Sequence, residues 1–425
     1  MIHTVCLWAM IPVHAADNAM AVSQTVLAAG QANTDTMISL TAILAVALLA
    51  PILSFMTGKR IPSVVFLIAC GVVIGPSVWG AADIDSGISI LRQLGLGMLF
   101  LLAGYEMDTD SLRSKEGANA VVTWLMCLAL AFAGALIFLG GDNAMTAVTF
   151  AIAVTSTALG TLLPILKQSG LLRTDVGKSV MLHGAIGELM PIMAIALLLS
   201  ARSTGVTFLI LVAFFAIAAM VAIVPRTVAA VVPWVGRAII DGASATNQSI
   251  VRMVVLMLAI LMTVAAVFDL DVVLGAFAAG IVLRGLVPDR ARGLIEERLD
   301  VVGYGFFIPV FFVCSGISID VETVGANLGM LFAVVGGILV ARGLPVFARD
   351  MFMTTGSKLT TTKQKLQLGC YAATGLPIIV AVTEVARHAK LLDASAASLL
   401  VAGGAVTVLL FPLIAAVLQP KGGRE

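Results

Sequence analysis

Two ionisable side chains stand where an apolar sequence has least use for them. Glu188 lies in the middle of "MLHGAIGELMPIMAIALLL" (residues 181–199), and Arg342 lies within "VARGLPVFARD" (residues 340–350). A carboxyl group withdrawn from water resists being left as a bare anion, so it takes a proton or a cation, each in place of the other. Arginine keeps its proton, so Arg342 can supply only a fixed charge, set against Glu188 or against backbone carbonyls. Hydroxyl, glycine and proline residues gather in two further apolar stretches, "TSTALGTLLP" (155–164) and "ATGLP" (373–377). Ser156, Thr157 and Thr374 are therefore candidate proton or cation ligands beside Glu188. Thr155, Gly160, Pro164, Gly375 and Pro377 are candidates for interrupting the helices that carry them.

Other groups are weaker candidates. His183 precedes Glu188 by five residues, so it shares no helix face with it and forms no HExxH pair. It either lines an inner funnel or packs in the core. Glu384 lies three residues before Arg387, where an interfacial ion pair or compensation of a helix dipole would account for it. Glu106, Asp108 and Asp110 read as structure at the inner edge of the third span. The five cysteines are scattered, with no Cys/His cluster, which argues against a metal or disulfide framework. No cofactor motif is present, and the expected metal is no more than a transported monovalent cation.

The elements holding these residues must be membrane spans. The chain has 425 residues, 60% of them hydrophobic and 12% charged, with mean hydropathy +1.08. That composition indicates an all-α polytopic membrane protein, and a net charge of +1 offers nothing to nucleic acid. A span needs about 20 apolar residues. Thirteen candidates lie near 37–56, 62–78, 91–107, 118–140, 145–166, 178–200, 206–225, 252–270, 271–288, 302–319, 325–346, 366–386 and 396–417. With the N-terminus outside, Arg92, Arg202, Arg387 and Lys390 fall in outer loops and Arg342 within a span. Every other Lys and Arg falls inside. Basic residues favour cytoplasmic loops, so the expected orientation in the cell (inner) membrane is N-out and C-in. Glu188 lies ten residues past Lys178, about 15 Å along a helix and near the midplane.

The spans repeat. "ACGVVI" (69–74) returns as "AAGIVL" (278–283), "FLLAGYEMD" (100–108) as "FVCSGISID" (312–320), and the two hydroxyl-rich stretches also correspond. Spans 1–6 thus match spans 8–13, with span 7 as linker, and the odd separation inverts the second half. Inverted repeats with paired interrupted spans point to a secondary transporter whose site lies at the midplane. The fifth and twelfth spans are expected to break and cross there.

"GKRIPSVVFLIACGVVIGPS", "LGLGMLFLLAGYEMD", "LGAFAAGIVLRG", "FFIPVFFVCSGISID" and "TGLPIIVAVTEVA" followed by "LLFPLIA" together resemble the monovalent cation:proton antiporters of the sodium/proton exchanger superfamily. The resemblance covers residues 37 to 417. It implies a homodimer whose dimerisation half comprises about 37–107 and 252–319. A linker helix over 206–225 would join it to an ion-transporting core of about 118–200 and 325–417. It also implies crossed breaks, the essential acid at Glu188 and its basic partner at Arg342. Many relatives carry Asp-Asp, Asn-Asp or Gln-Asp where this chain has Gly187-Glu188. One carboxylate then serves both ions, and the expectation is electroneutral exchange of one proton for one Na+ or K+ by alternating access.

Residues 1–36 are expected to form an extracytoplasmic segment that opens with a signal-like stretch. Residues 418–425 are expected to be a short cytoplasmic tail, without room for a nucleotide-binding regulatory domain. A channel-like potassium pathway on the same fold is the alternative reading. An intramembrane enzyme lacks its Ser/His, paired-Asp or HExxH constellation, and a sensor lacks an output domain.

Overall fold

The computed structural model describes residues 11–58, 61–106, 114–138, 144–198, 249–268, 270–287 and 289–418, with isolated positions between 209 and 220. Among the described residues the regular structure is entirely helical. Among the described residues nine helices are long and apolar enough to span a membrane, from Thr34–Met56 to Ala394–Val417, and two shorter apolar helices are Ser63–Ile74 and Val272–Leu286. They match eleven of the predicted spans. The linker predicted over 206–225 lies almost wholly outside the described residues, as do Asp108, Asp110 and nearly all of the tail.

The first half of the chain comprises α1 (Ile11–Met56), α2 (Ser63–Ile74), α3 (Ser86–Glu106), α4 (Lys115–Phe138), α5 (Ala144–Val154), α6 (Leu159–Gln168) and α7 (Asp175–Leu198). The second comprises α8 (Ser249–Val267), α9 (Val272–Leu286), α10 (Asp289–Val302), α11 (Ile308–Ile317), α12 (Val321–Ala326), α13 (Leu328–Ile338), α14 (Leu344–Phe352), α15 (Thr362–Ala372), α16 (Leu376–His388) and α17 (Ala394–Val417). Helix α1 runs from Ile11, and its membrane-spanning part, Thr34–Met56, coincides with the first predicted span. One correction is the start of the tenth span. Its charged residues 292–300 continue the same helix beyond the apolar stretch.

Two groups of helices pack chiefly among themselves. One holds α1, α2, α3, α8, α9, α10 and α11; the other holds α4 to α7 and α13 to α17. Within the first group, the glycines of the repeated motifs set the closest approaches. Gly71 on α2 lies against the Val313 carbonyl of α11, and Gly316 on α11 lies against the Ile68 carbonyl of α2. In the other pair, Gly104 on α3 meets the Phe277 carbonyl of α9, and Gly280 on α9 meets the Leu101 carbonyl of α3. So each motif glycine packs against the helix that carries the other motif in the opposite repeat. Small residues allow such backbone contact where lipid supplies no hydrophobic drive between helices.

Two π-helical turns interrupt the second half, at Gly303–Phe307 between α10 and α11 and at Leu339–Gly343 between α13 and α14. Each ends two residues before a proline, Pro309 or Pro345. Proline cannot donate to the preceding turn, and its ring crowds the carbonyl there, so the backbone widens.

Gly280→Ala and Gly316→Ala are each expected to destabilise the protein by about 1–3 kcal/mol, because their methyl groups would meet backbone. Thermal unfolding in detergent checks this, with Gly337→Ala as control. A methyl group at Gly337 meets nothing within 4 Å, so its midpoint should hold or rise slightly.

Candidate functional site

The fifth span breaks between Val154 and Leu159 and the twelfth between Ala372 and Leu376. The two breaks cross and satisfy one another. The Ala158 amide donates to the Thr374 carbonyl at 2.6 Å, and the Thr157 amide donates to the Gly187 carbonyl of α7 at 2.9 Å. The Thr157 hydroxyl donates to the Ala372 carbonyl at 2.5 Å. The Ser156 hydroxyl donates to Ala153 at 2.7 Å and reaches the Gly375 carbonyl at 3.3 Å. Thr155 and Thr374 turn their hydroxyls back onto Ala151 and Tyr371 carbonyls of their own helices. These hydroxyl hydrogens hold the unwound backbone together, which leaves oxygen lone pairs as the groups a cation could use.

Not every predicted interrupter lies in a break. Gly375 precedes α16 as its N-cap and Pro377 occupies its first turn, where a missing N–H is harmless. Gly160 and Pro164 instead lie within α6. Gly160 has another use: its amide donates to Glu188 Oε1 at 3.3 Å.

Glu188 is 1% exposed. One carboxyl oxygen faces the amide end of α6, whose partial positive charge favours an anion. Its other oxygen, Oε2, is buried without a hydrogen-bond partner. A buried acceptor left unsatisfied is costly, and a proton or a desolvated cation is the kind of partner that would relieve it.

Arg342 sits in the π turn before α14 and is 0% exposed, so it does not snorkel to water. It is not hydrogen-bonded to Glu188 either. Its Nε donates to Thr157 Oγ1 at 3.1 Å and its Nη2 to the His183 carbonyl at 3.0 Å, while Nη1 lies 3.9 Å from Cys127 Sγ. Of the two roles expected for it, the geometry favours balancing carbonyl ends. Gly187 makes room for this. A Cβ there would stand 2.6 Å from Thr157 Cβ and 2.8 Å from Arg342 Nη2.

His183 is 5% exposed and lends the site its carbonyl, while its ring Nδ1 is buried without a partner; it packs rather than lining an open funnel. Glu384 pairs with Arg92 on α3, not with Arg387 three residues on. Tyr304 was missed from the sequence. It projects from the first π turn and its hydroxyl donates to the Gly160 carbonyl at 3.2 Å, tying that turn to the helix that faces Glu188. Pro309 was the available signal.

The family model described as the sodium/hydrogen exchanger, transmembrane, matches residues 44–418. This chain belongs to the sodium/hydrogen exchanger family. That family consists of transporters, not enzymes, and the chain is a multi-pass membrane protein. Among its relatives, YjbQ of Bacillus subtilis is 26% identical over 333 residues, 72% of this chain and 52% of YjbQ. The chain therefore spans about half of YjbQ. The Na+/H+–K+ antiporter GerN of Bacillus cereus is 23% identical over 277 residues, 64% of this chain and 69% of GerN. The solved structure of the sodium proton antiporter MjNhaP1 from Methanocaldococcus jannaschii superposes with a TM-score of 0.62, at 17% identity. It covers 90% of this chain and 96% of MjNhaP1, which shows that the fold is shared.

Gly187→Ala is expected to push Thr157 and Arg342 apart and destabilise the protein by about 1–3 kcal/mol. The thermal midpoint checks this, and an unchanged midpoint would mean that the contact is slack.

Proposed function

We propose that this protein exchanges a monovalent cation, Na+ or K+, for protons by alternating access, with Glu188 as the shared site. The observation that carries the reading is the half-satisfied carboxyl. Oε1 is held at the amide end of α6, and Oε2 is buried and free to take one partner. A proton and a cation compete for it, and either one brings the site near neutrality. The bare carboxylate would have to cross as a desolvated charge, which is expensive in a membrane. Only loaded forms therefore cross, and that couples the two fluxes. Cation ligands beyond Glu188 would come from the oxygens of Ser156, Thr157 and Thr374 and from the carbonyls of the breaks.

Arg342 is engaged with Thr157 and the His183 carbonyl, so it orients the break without competing for Oε2. The helices of about 37–107 and 252–319 form the dimerisation half of a homodimer in the cell membrane. Residues of about 118–200 and 325–417 are the moving core, and the chain runs from N-out to C-in. The names of GerN and MjNhaP1 support exchange of Na+ or K+ for H+.

In inside-out vesicles with an acid-inside gradient, added Na+ or K+ should collapse the gradient with native protein and not with Glu188→Gln. Equal collapse in the variant would place the proton elsewhere. Conductance without saturation or coupling would favour a channel.

With one carboxylate serving both ions, each proton that leaves is replaced by one monovalent cation. Solid-supported-membrane recordings should accordingly show no cation-evoked current that scales with active protein. A current that did so would overturn the 1:1 stoichiometry.

A further inference from the structure

Two ion pairs cross the boundary between the helix groups. Arg92 on α3 pairs with Glu384 on α16. Lys167, near the end of α6, lies 3.3 Å from Glu296 and 3.9 Å from Asp300 on α10. The pairs sit at opposite ends of α3. Arg92 is near its start, while Tyr105 near its end donates to the Arg292 carbonyl of α10. Thirteen residues of helix separate these points by about 20 Å.

The pairs are also related by the repeat. Lys167 is the eighth residue after Leu159, which opens α6, and Glu384 is the eighth after Leu376, which opens α16. Their partners lie on α3 and α10, which belong to the third and tenth spans and are themselves counterparts. The positions correspond and the charges are reversed. The core carries the acid at one end and the base at the other.

Arg92 and Glu384 line a cavity of about 290 Å³ together with Arg387, with Ser315 of α11 and Ser318 at its end, and with Ser398 of α17. It lies between the groups, at the end that the Arg92–Glu384 pair closes. Both pairs are formed in this structure while Glu188 is 1% exposed, so the site is closed towards both ends.

We propose that the two ion pairs are opposed latches on the transport cycle. The Arg92–Glu384 pair must open for Glu188 to meet the outside, and the Lys167–Glu296/Asp300 pair must open for it to meet the inside. Their relative strength sets which face the unloaded protein presents. This rests on the alternating-access reading above, since it takes the core to move against α3 and α10.

Latching is separable from simple attraction of cations by surface charge. Removing either member of a latch frees the same face, whereas removing a base or an acid from a vestibule acts on cation affinity in opposite directions. Arg92→Gln and Glu384→Gln should both lower the half-saturating cation concentration at the outer face, because a larger fraction is competent there. Lys167→Gln and Glu296→Gln/Asp300→Asn should both lower it at the inner face.

Hydrogen exchange in nanodiscs reads the same opening without transport. The first two variants should raise uptake several-fold over 376–388 and leave 159–168 unchanged, and the other two should do the reverse. The exchanged pair Arg92→Glu/Glu384→Arg should return both readouts to native, and it also controls for single variants that fail to fold. Opposite shifts in Arg92→Gln and Glu384→Gln, unchanged uptake, or no recovery in the exchanged pair would each overturn the latches. Native protein without cation-dependent proton exchange would instead overturn the transport reading, and the uptake pattern would still decide whether the latches exist.

Discussion

Everything at this site depends on one constraint: backbone that leaves the helix inside a membrane must find its hydrogen bonds in protein. The crossed breaks meet it reciprocally. Ala158 donates to Thr374, Thr157 to Gly187 and Ala372, and Ser156 to Ala153 and Gly375. Three helical segments are thereby committed to one point. The α7 backbone joins through Gly187, and so Glu188, the next residue, is delivered to the start of α6. The acid's position follows from the backbone's need for partners.

The same arrangement separates the two buried charges. Glu188 faces amides at the opening of α6, while Arg342 faces the His183 carbonyl and the hydroxyl that reaches Ala372 at the close of α15. Each charge is met by backbone dipoles of opposite sign. A direct Glu–Arg pair would have satisfied both groups and occupied the carboxylate permanently. Held apart, Arg342 is engaged by Thr157 and the His183 carbonyl, and Glu188 keeps one buried oxygen without a partner.

Spans, the inverted repeat and the crossing of the fifth and twelfth spans were legible because each leaves a periodic or compositional mark. Long apolar runs give the spans, the paired "ACGVVI" and "AAGIVL" motifs give the repeat, and clustered hydroxyl, Gly and Pro residues give the breaks. Partnerships between distant side chains leave no such mark. Glu384 has Arg387 three residues away and takes Arg92 instead, because α3 and α16 meet in space. Arg342 could be placed inside a span, but its orientation depends on a π turn that shifts the face it presents. That turn was in principle legible, since Pro345 and Pro309 stand two residues beyond each one. Pro164 lies past the first turn of α6 and not in the break, and the Gly160 carbonyl that it leaves without an amide accepts from the Tyr304 hydroxyl instead.

The repeat fixes the scaffold, and departure from the repeat fixes the chemistry. Gly71 and Gly280, Gly104 and Gly316, and the two breaks all occur in symmetric pairs. The offset that relates Leu159 to Leu376 carries Glu188 onto Ala405 and Arg342 back onto Leu125, so neither charge has a charged twin. Symmetric backbone lets a bundle adopt two equivalent arrangements about its midplane. On the exchange proposed above, a single acid on that midplane would meet each side in turn, whereas a second acid at the mirrored position would bind its own ion and loosen the competition that couples the fluxes. On that proposal the asymmetry of the charges is as necessary to exchange as the symmetry of the helices.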